Sequence, residues 1–220
     1  GENGNRSNYN YVFDGIVQAG ETNVPGGVTE GQAKVKDING DGEITPEDDR
    51  VVLGSVDPDW GGSIFTNIRY GNLTLSASAI TSQGVYTYSP WRANFTDTRD
   101  RGRQKADISF YVPENGAGIP AQFSNEYPQA RNQGDFWRGQ QVGYYADASF
   151  VKIKNISLSY NFESKILDNL NLKGLRVYAN VLDPFVFTDY MGYDPETASA
   201  SLGVGRTAAI TYQLGLSIKL

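Results

Sequence analysis

The residues best equipped for chemistry lie in one run, Asp37-Ile38-Asn39-Gly40-Asp41-Gly42-Glu43-Ile44-Thr45-Pro46-Glu47-Asp48. It follows the calcium-loop pattern D-x-[DN]-x-[DN]-G, with side-chain oxygens at the first, third and fifth positions and a glycine at the sixth for the sharp turn. Asp37, Asn39 and Asp41 supply those oxygens and Gly42 the turn. Glu43 stands at the seventh position, where the main-chain carbonyl is the ligand. Asp48 stands at the twelfth, where a true EF-hand has a longer, bidentate Glu. Hard oxygen donors favour Ca²⁺ over Mg²⁺, which keeps its waters. The metal's expected role is structural: it would neutralise clustered carboxylates and fix a loop that otherwise repels itself. The plainer reading of the same residues is an acidic Asn/Gly turn. Thr45-Pro46-Glu47-Asp48 also has the order of a helix start, with a Thr cap, Pro first and acids at the positive end of the dipole, which predicts a short helix over 46–52.

Few other chemistries are open to this chain. It has no Cys and no His, which removes thiol nucleophiles, Ser-His-Asp triads, disulfides and nearly all zinc sites. Paired acids, such as Asp97 with Asp100 or Glu114 with Glu126, are of the type that does acid–base work on a glycan. Arg99, Arg101 and Arg103 stand beside the first pair, so ion pairing or solvation is the expected state, no catalytic residue is assigned and no enzyme is expected. Trp91, Trp137, Tyr144 and Tyr145 have flat apolar faces with polar edges, suited to a sugar ring or a partner protein. Packing within their own loop, or a girdle at a membrane interface, is the competing reading. The net charge of −6, from 19 basic and 25 acidic residues, comes without the basic stripe a nucleic-acid binder needs.

The elements that must position these groups are strands. A chain of 220 residues with 25 Gly, 14 Tyr, 10 Phe and 20% charged residues is rich in turn and strand formers and fits one large all-β domain. The first 34 residues read as irregular surface structure with one short strand around Tyr11 to Val17. From Ser63 the period becomes two. Ile64, Thr66, Ile68 and Tyr70 oppose Ser63, Phe65, Asn67 and Arg69, then Gly71-Asn72 turns the chain into Leu73, Leu75, Ala77 and Ala79, a two-residue hairpin. Residues 84–146 break every sustained pattern. So long a stretch in a compact domain is rarely structureless, and this one is too aromatic for a linker, so it is expected to be a folded external loop. Alternation resumes at Ser149 and slips phase near Lys154-Asn155, as a bulge would cause. It continues through Ile156, Leu158, Tyr160 and Phe162, then Leu175, Val177, Ala179 and Val181, and, after a second loop over 183–206, from Ile210 to Leu220. The chain therefore divides into a loop region, 1–62, carrying the calcium-type loop 37–48, and a strand region, 63–220.

Short and long connections take turns between five strands, as in transmembrane barrels with tight periplasmic turns and extended external loops. In that arrangement the last strand runs toward the periplasm and the calcium-type loop lies outside the cell. A soluble sandwich alternates in the same way, because each strand buries one face and wets the other. The last strand is near the ~9–11 residues needed to cross a bilayer at a tilt. No apolar run approaches the ~20 residues of a membrane helix, and the first residues have no signal-peptide pattern. On the residues alone a barrel segment and a secreted calcium-dependent β-sandwich for adhesion or glycan binding both remain open.

Several blocks in fixed order carry a resemblance. They are Asp14-Gly15-Ile16-Val17-Gln18, Lys36 to Ile44, Asp48-Asp49-Arg50, Val52-Leu53-Gly54, Asp57-Pro58-Asp59-Trp60, Ala148 to Tyr160, and Gly192-Tyr193-Asp194-Pro195-Glu196. Together they resemble the carboxy-terminal third of SusC/RagA-type TonB-dependent outer-membrane transporters of Bacteroidetes, over nearly the whole chain. Gln213 to Leu220 is similar to the signal read by the barrel-assembly machinery, although that signal more often ends in an aromatic residue than in Leu220. The resemblance implies the last strands of an antiparallel transmembrane β-barrel of about 22 strands, with long extracellular loops, in the Gram-negative outer membrane. It implies nutrient uptake: oligosaccharides or peptides captured beneath a SusD-like surface lipoprotein and imported when TonB pulls on an amino-terminal plug. The chain lacks that plug and the TonB box, and is expected to be a fragment.

Overall fold

The computed structural model describes residues 6–97, 106–114, 118, 120–162, 167, 172–198 and 209–219. In chain order the main elements are β1 (Ser7–Tyr11), β2 (Phe13–Ile16), β3 (Ala33–Val35), β4 (Arg50–Ser55), β5 (Trp60–Tyr70), β6 (Leu73–Gln83), β7 (Tyr86–Tyr88), α1 (Pro90–Phe95), α2 (Gly134–Arg138), β8 (Tyr145–Asp147), β9 (Phe150–Asn161), β10 (Gly174–Phe187) and β11 (Thr211–Lys219). The fold is all-β apart from short helical turns, and no described helix is long and apolar enough to cross a membrane.

The five strands expected from alternation form one antiparallel sheet in the order β11-β10-β9-β6-β5. Gly71, at φ 57, occupies the first turn position between β5 and β6, where the twist of a two-residue hairpin calls for positive φ. Register places like with like. Ile68, Leu75, Leu158, Ala179 and Leu214 lie side by side across all five strands, and so do Leu73, Tyr160, Val177 and Leu216 across four. The opposite face carries Asn67, Ser76, Ser157, Asn180 and Gln213 in one row. There the Ser157 hydroxyl donates to Asn180 at 2.6 Å, the Asn180 amide to Gln213 at 3.3 Å, and Arg176 to the Ser159 hydroxyl at 3.0 Å. Tyr178 closes over Gly215, directly opposite it, and any side chain at 215 would collide with that ring.

The phase slip is a bulge. Asn155 pairs with Ser78 and Ile153 with Ala79, so Lys154 has no partner on β6, and on β10 it faces the pair Asp183-Pro184. Asp183 takes φ 49 there. Pro184 does not end the strand, because a proline is tolerated at a bulge where the ladder is already interrupted. β10 consequently runs on to Phe187, five residues into the segment expected to be loop. Likewise β5 starts at Trp60 instead of Ser63.

The connections 84–149 and 188–210 leave the sheet at one end, while Gly71-Asn72 and 162–173 turn at the other. At the first end the chain before β5 packs with the long connection. β1 pairs with β4, β2 with β3 and β7 with β8. Here lies the buried core: Ile16, Ala33, Tyr111, Tyr127, Trp137 and Tyr144, flanked by Tyr11, Val35 and Val142. Edge-to-face contacts at 5.6–6.1 Å set Phe13, Tyr127 and Tyr144 around the Trp137 indole. The opening residues are thus more ordered than the sequence suggested. The helix expected over 46–52 does not form. Residues 46–49 make a single turn, and Arg50–Ser55 is drawn into a strand by pairing with β1, which suits β-branched Val51 and Val52.

Candidate functional site

Three features offer themselves as sites. The first is the calcium-type loop. Asp37 organises its first half, accepting from the Gly40 amide at 2.6 Å and the Gly42 amide at 2.8 Å. The Asn39 side chain donates to Asp41 at 2.8 Å, and the Asp41 carboxylate accepts the Glu43 amide at 2.8 Å. That amide, and then Asn39, hold the Asp41 carboxyl below its ordinary pKa. Asp37, Asn39 and Asp41 are thereby gathered into one turn. Asp48 is not drawn into that turn by any hydrogen bond; it meets the Thr45 hydroxyl at 3.1 Å. Among the described residues no group of three or more carboxylates is arranged to hold a metal ion. The donor chemistry still fits a hard cation in the first half of the loop, because a carboxylate oxygen that accepts one amide keeps a second lone pair. The residue that closes the loop is Asp49, which sequence reasoning passed over. Its carboxylate is fully buried and accepts the Ile38 amide at 2.8 Å and the Thr45 amide at 2.7 Å, tying the two ends together. Ile44 packs on the cluster of Tyr11, Val35 and Val142, as does Phe136, so the loop is seated on the aromatic body at that end of the sheet.

The second is an ion-pair cluster that no spacing rule foretold. Lys152 is 1% exposed; its ammonium lies 2.8 Å from Asp194, 2.9 Å from Glu196 and 3.9 Å from Asp183. Lys154 reaches Asp183 at 2.9 Å and Glu196 at 3.4 Å. Lys152, ahead of Lys154, holds the Glu196 carboxyl below its ordinary range. Two of the blocks that carry the family resemblance, around Lys152 and around Asp194, are thus partners in space.

The third is the sheet itself. Tyr70 is 86% and Leu214 87% exposed, and none of the apolar row from Ile64 to Ile218 belongs to a buried cluster of the described residues. A sandwich would bury such a row against a second sheet. Among the described residues the other three sheets are two-stranded ribbons. An exposed apolar surface of this extent marks a membrane or an interface. β5 and β6 are 11 residues each, about 36 Å long at the usual rise. Tilted by about 40°, they span about 28 Å, close to the ~25 Å apolar band of an outer-membrane barrel.

The weighed aromatics divide. Trp137 and Tyr144 are core residues and offer no face to a ligand, whereas Trp91 and Tyr145 are only partly covered. Asp97 is buried and paired with Arg138 at 3.4 Å; Glu114 and Glu126 are exposed. Asp100, with Arg99, Arg101 and Arg103, lies outside the described residues.

No protein-family profile matches the chain. It is 29% identical over 187 residues to the TonB-dependent receptor SusC of Bacteroides thetaiotaomicron, covering 83% of this chain and 17% of that protein. It is 27% identical over 167 residues to the TonB-dependent receptor P39 of Formosa agariphila, covering 73% and 15%. In structure it superposes on the RagAB peptide transporter with a TM-score of 0.66 at 17% identity, over 96% of this chain and 22% of that one. In sequence the chain is similar to SusC and other TonB-dependent receptors, and in fold to the RagAB transporter. It spans less than a fifth of the length of the curated relatives it matches. Those relatives carry the names of receptors, and the structural neighbours those of a peptide importer or transporter.

Proposed function

We propose that this SusC/RagA-type chain forms the closing staves of a transmembrane barrel in the outer membrane, with residues 1–62 and the two long connections as its extracellular crown. The whole transporter imports oligosaccharides or peptides with a SusD-like lipoprotein as lid, and TonB drives it through a plug outside this chain. One observation supports this above the rest: a continuous apolar row on one face of five strands, with Ser, Asn and Gln joined by hydrogen bonds on the other. The apolar face meets lipid and the polar face the aqueous bore. The outer edges of β5 and β11 have no partner among the described residues, as expected of strands that continue into neighbouring staves. Nitroxide labels at Leu214→Cys and Gln213→Cys, in the intact protein in a lipid bilayer, test the reading. Oxygen should relax the first and a water-soluble nickel reagent the second. Equal access of the nickel reagent to both, or a compact monomer without any detergent, would sink it.

The calcium-type loop is proposed to hold Ca²⁺ in a structural role through the Asp37, Asn39 and Asp41 side chains and the Glu43 carbonyl, with Asp48 at the twelfth position. Bound there, the ion would offset the loop's clustered negative charge. Asp41→Ala should lower calcium content and raise cleavage within 37–48 by a protease; no change in either would refute the role.

A further inference from the structure

We propose that residues 188–198 form a strap latched to the barrel wall by Lys152, and that the strap opens as a unit when the latch is lost. The proposal stands on the ion-pair geometry and holds whatever covers the apolar face. Strand alternation alone would put Lys152 on the same side as Ile156, Leu158 and Tyr160. The extra residue at Lys154 reverses the phase, so that Lys152 pairs with Ile80 and Val186 on the side of Ser78 and Asn155. The bulge therefore moves an ammonium from the apolar face to the polar one, beneath the strap.

The strap supplies its acceptors in a fixed arrangement. Asp194 caps a 3-10 turn over Pro195–Thr197, accepting the Glu196 amide at 3.0 Å, and Pro195 sets the backbone between the two acids. Both carboxylates are carried on one rigid turn and must leave Lys152 together. When the strap lifts, Lys152 keeps Asp183 of β10 only at 3.9 Å; a half-lifted strap would leave the ammonium buried without close acceptors, which is costly, so the latched and open forms are distinct states. Besides a longer ion pair from Glu196 to the half-buried Lys154 at 3.4 Å, the strap's other ties are neutral: the Tyr190 hydroxyl shares a 2.8 Å hydrogen bond with Ser89, and Thr188 donates to the Ser149 carbonyl at 2.7 Å. When latched, the strap sets exposed Tyr193 against Phe95 of α1 at 6.4 Å. The position of an external aromatic ring is thereby governed by a lysine in the wall.

The test is amide hydrogen exchange of the intact protein in detergent. Lys152→Met should speed exchange across 188–198 by on the order of 100-fold, allowing for partial exposure of Glu196, with β6 and β9 unchanged. Lys152→Arg should stay within about tenfold of the wild type, because Arg keeps the charge and donors. Glu196→Gln, which leaves the buried Lys152–Asp194 pair, should give about tenfold and provides the reading if Lys152→Met does not assemble. Strap exchange within threefold of wild type in Lys152→Met, or in Glu196→Gln if only that variant assembles, would overturn the latch. So would an equal rise in strap and sheet, which would make Lys152 a general folding residue.

Discussion

Leu214→Arg is the sharpest test of which solvent touches which face. Leu214 is 87% exposed in β11, one residue from Gly215 at the strand's centre. At a rise of ~3.4 Å and a tilt near 40°, it lies about 3 Å from the membrane midplane. An Arg facing lipid at that depth costs about 2–4 kcal/mol. Gln213→Arg introduces the same charge one residue away but toward the polar face, where the neighbouring Asn180 can accept from it, and should cost less than about 0.5 kcal/mol. The depth difference between the two sites is too small to produce that contrast, so sidedness alone is measured. The assay is reversible urea unfolding in phospholipid bilayers, read from the heat-modifiable gel shift of the folded barrel and from tryptophan emission. Equal destabilisation by the two arginines, or a larger loss from Gln213→Arg, would refute the assignment of the faces.

Asp49→Ala should destabilise the 37–48 loop by about 3 kcal/mol, since two amide hydrogen bonds to a buried carboxylate are lost; Asp49→Asn should retain part of this. Limited proteolysis in this segment reads the difference, with and without calcium. Deleting Lys154 should turn Lys152 toward the apolar face and cost about 3–5 kcal/mol through loss of the buried ion pairs, seen as a loss of heat-modifiable protein. In alkali the aromatic body at the end of the sheet should loosen before the sheet itself. Burial, with the hydrogen bond to Glu30 adding for Tyr111, pushes the phenols of Tyr111 and Tyr127 from the usual 10 up to about 12. The fold thus holds protons that the unfolded chain releases, so this stabilisation is complete below pH 10 and is lost between pH 10 and 12. Absorbance of phenolate against pH, alongside near-ultraviolet circular dichroism, follows it.

The sheet was legible in the sequence because its signal is local. Each strand repeats its own two-residue period, and even the bulge shows as a slip between Lys154 and Asn155. The strand ends were less so: Pro184 looks like a terminator until its place opposite Lys154 is known. The aromatic body was largely hidden, because its elements are paired by distant residues. Asn8 donates to the Tyr86 carbonyl and Asn10 to the Gln140 carbonyl, at separations of 78 and 130 residues. Its aromatics follow no period, so nothing separated buried Trp137 and Tyr144 from half-covered Trp91 and Tyr145. The candidate loop was recognised from Asp37 to Gly42, where ligand spacing is rigid. Asp49, just beyond the pattern, gave no signal apart from its block. The acids that meet Lys152 lie 42 and 44 residues downstream. A buried lysine on a polar face is invisible until the bulge has been counted.

The two rims of the five-stranded sheet differ in what they present. β5 offers a rim of 11 residues containing Gly61 and Gly62, and β11 one of 9 ending near Lys219. With neither rim occupied, each would template any extended peptide that approached, including another copy of the same sheet. Produced by itself in water, this piece should therefore grow into ribbons joined rim to rim and stacked through their oily sides. A single tidy globule is not the expected product.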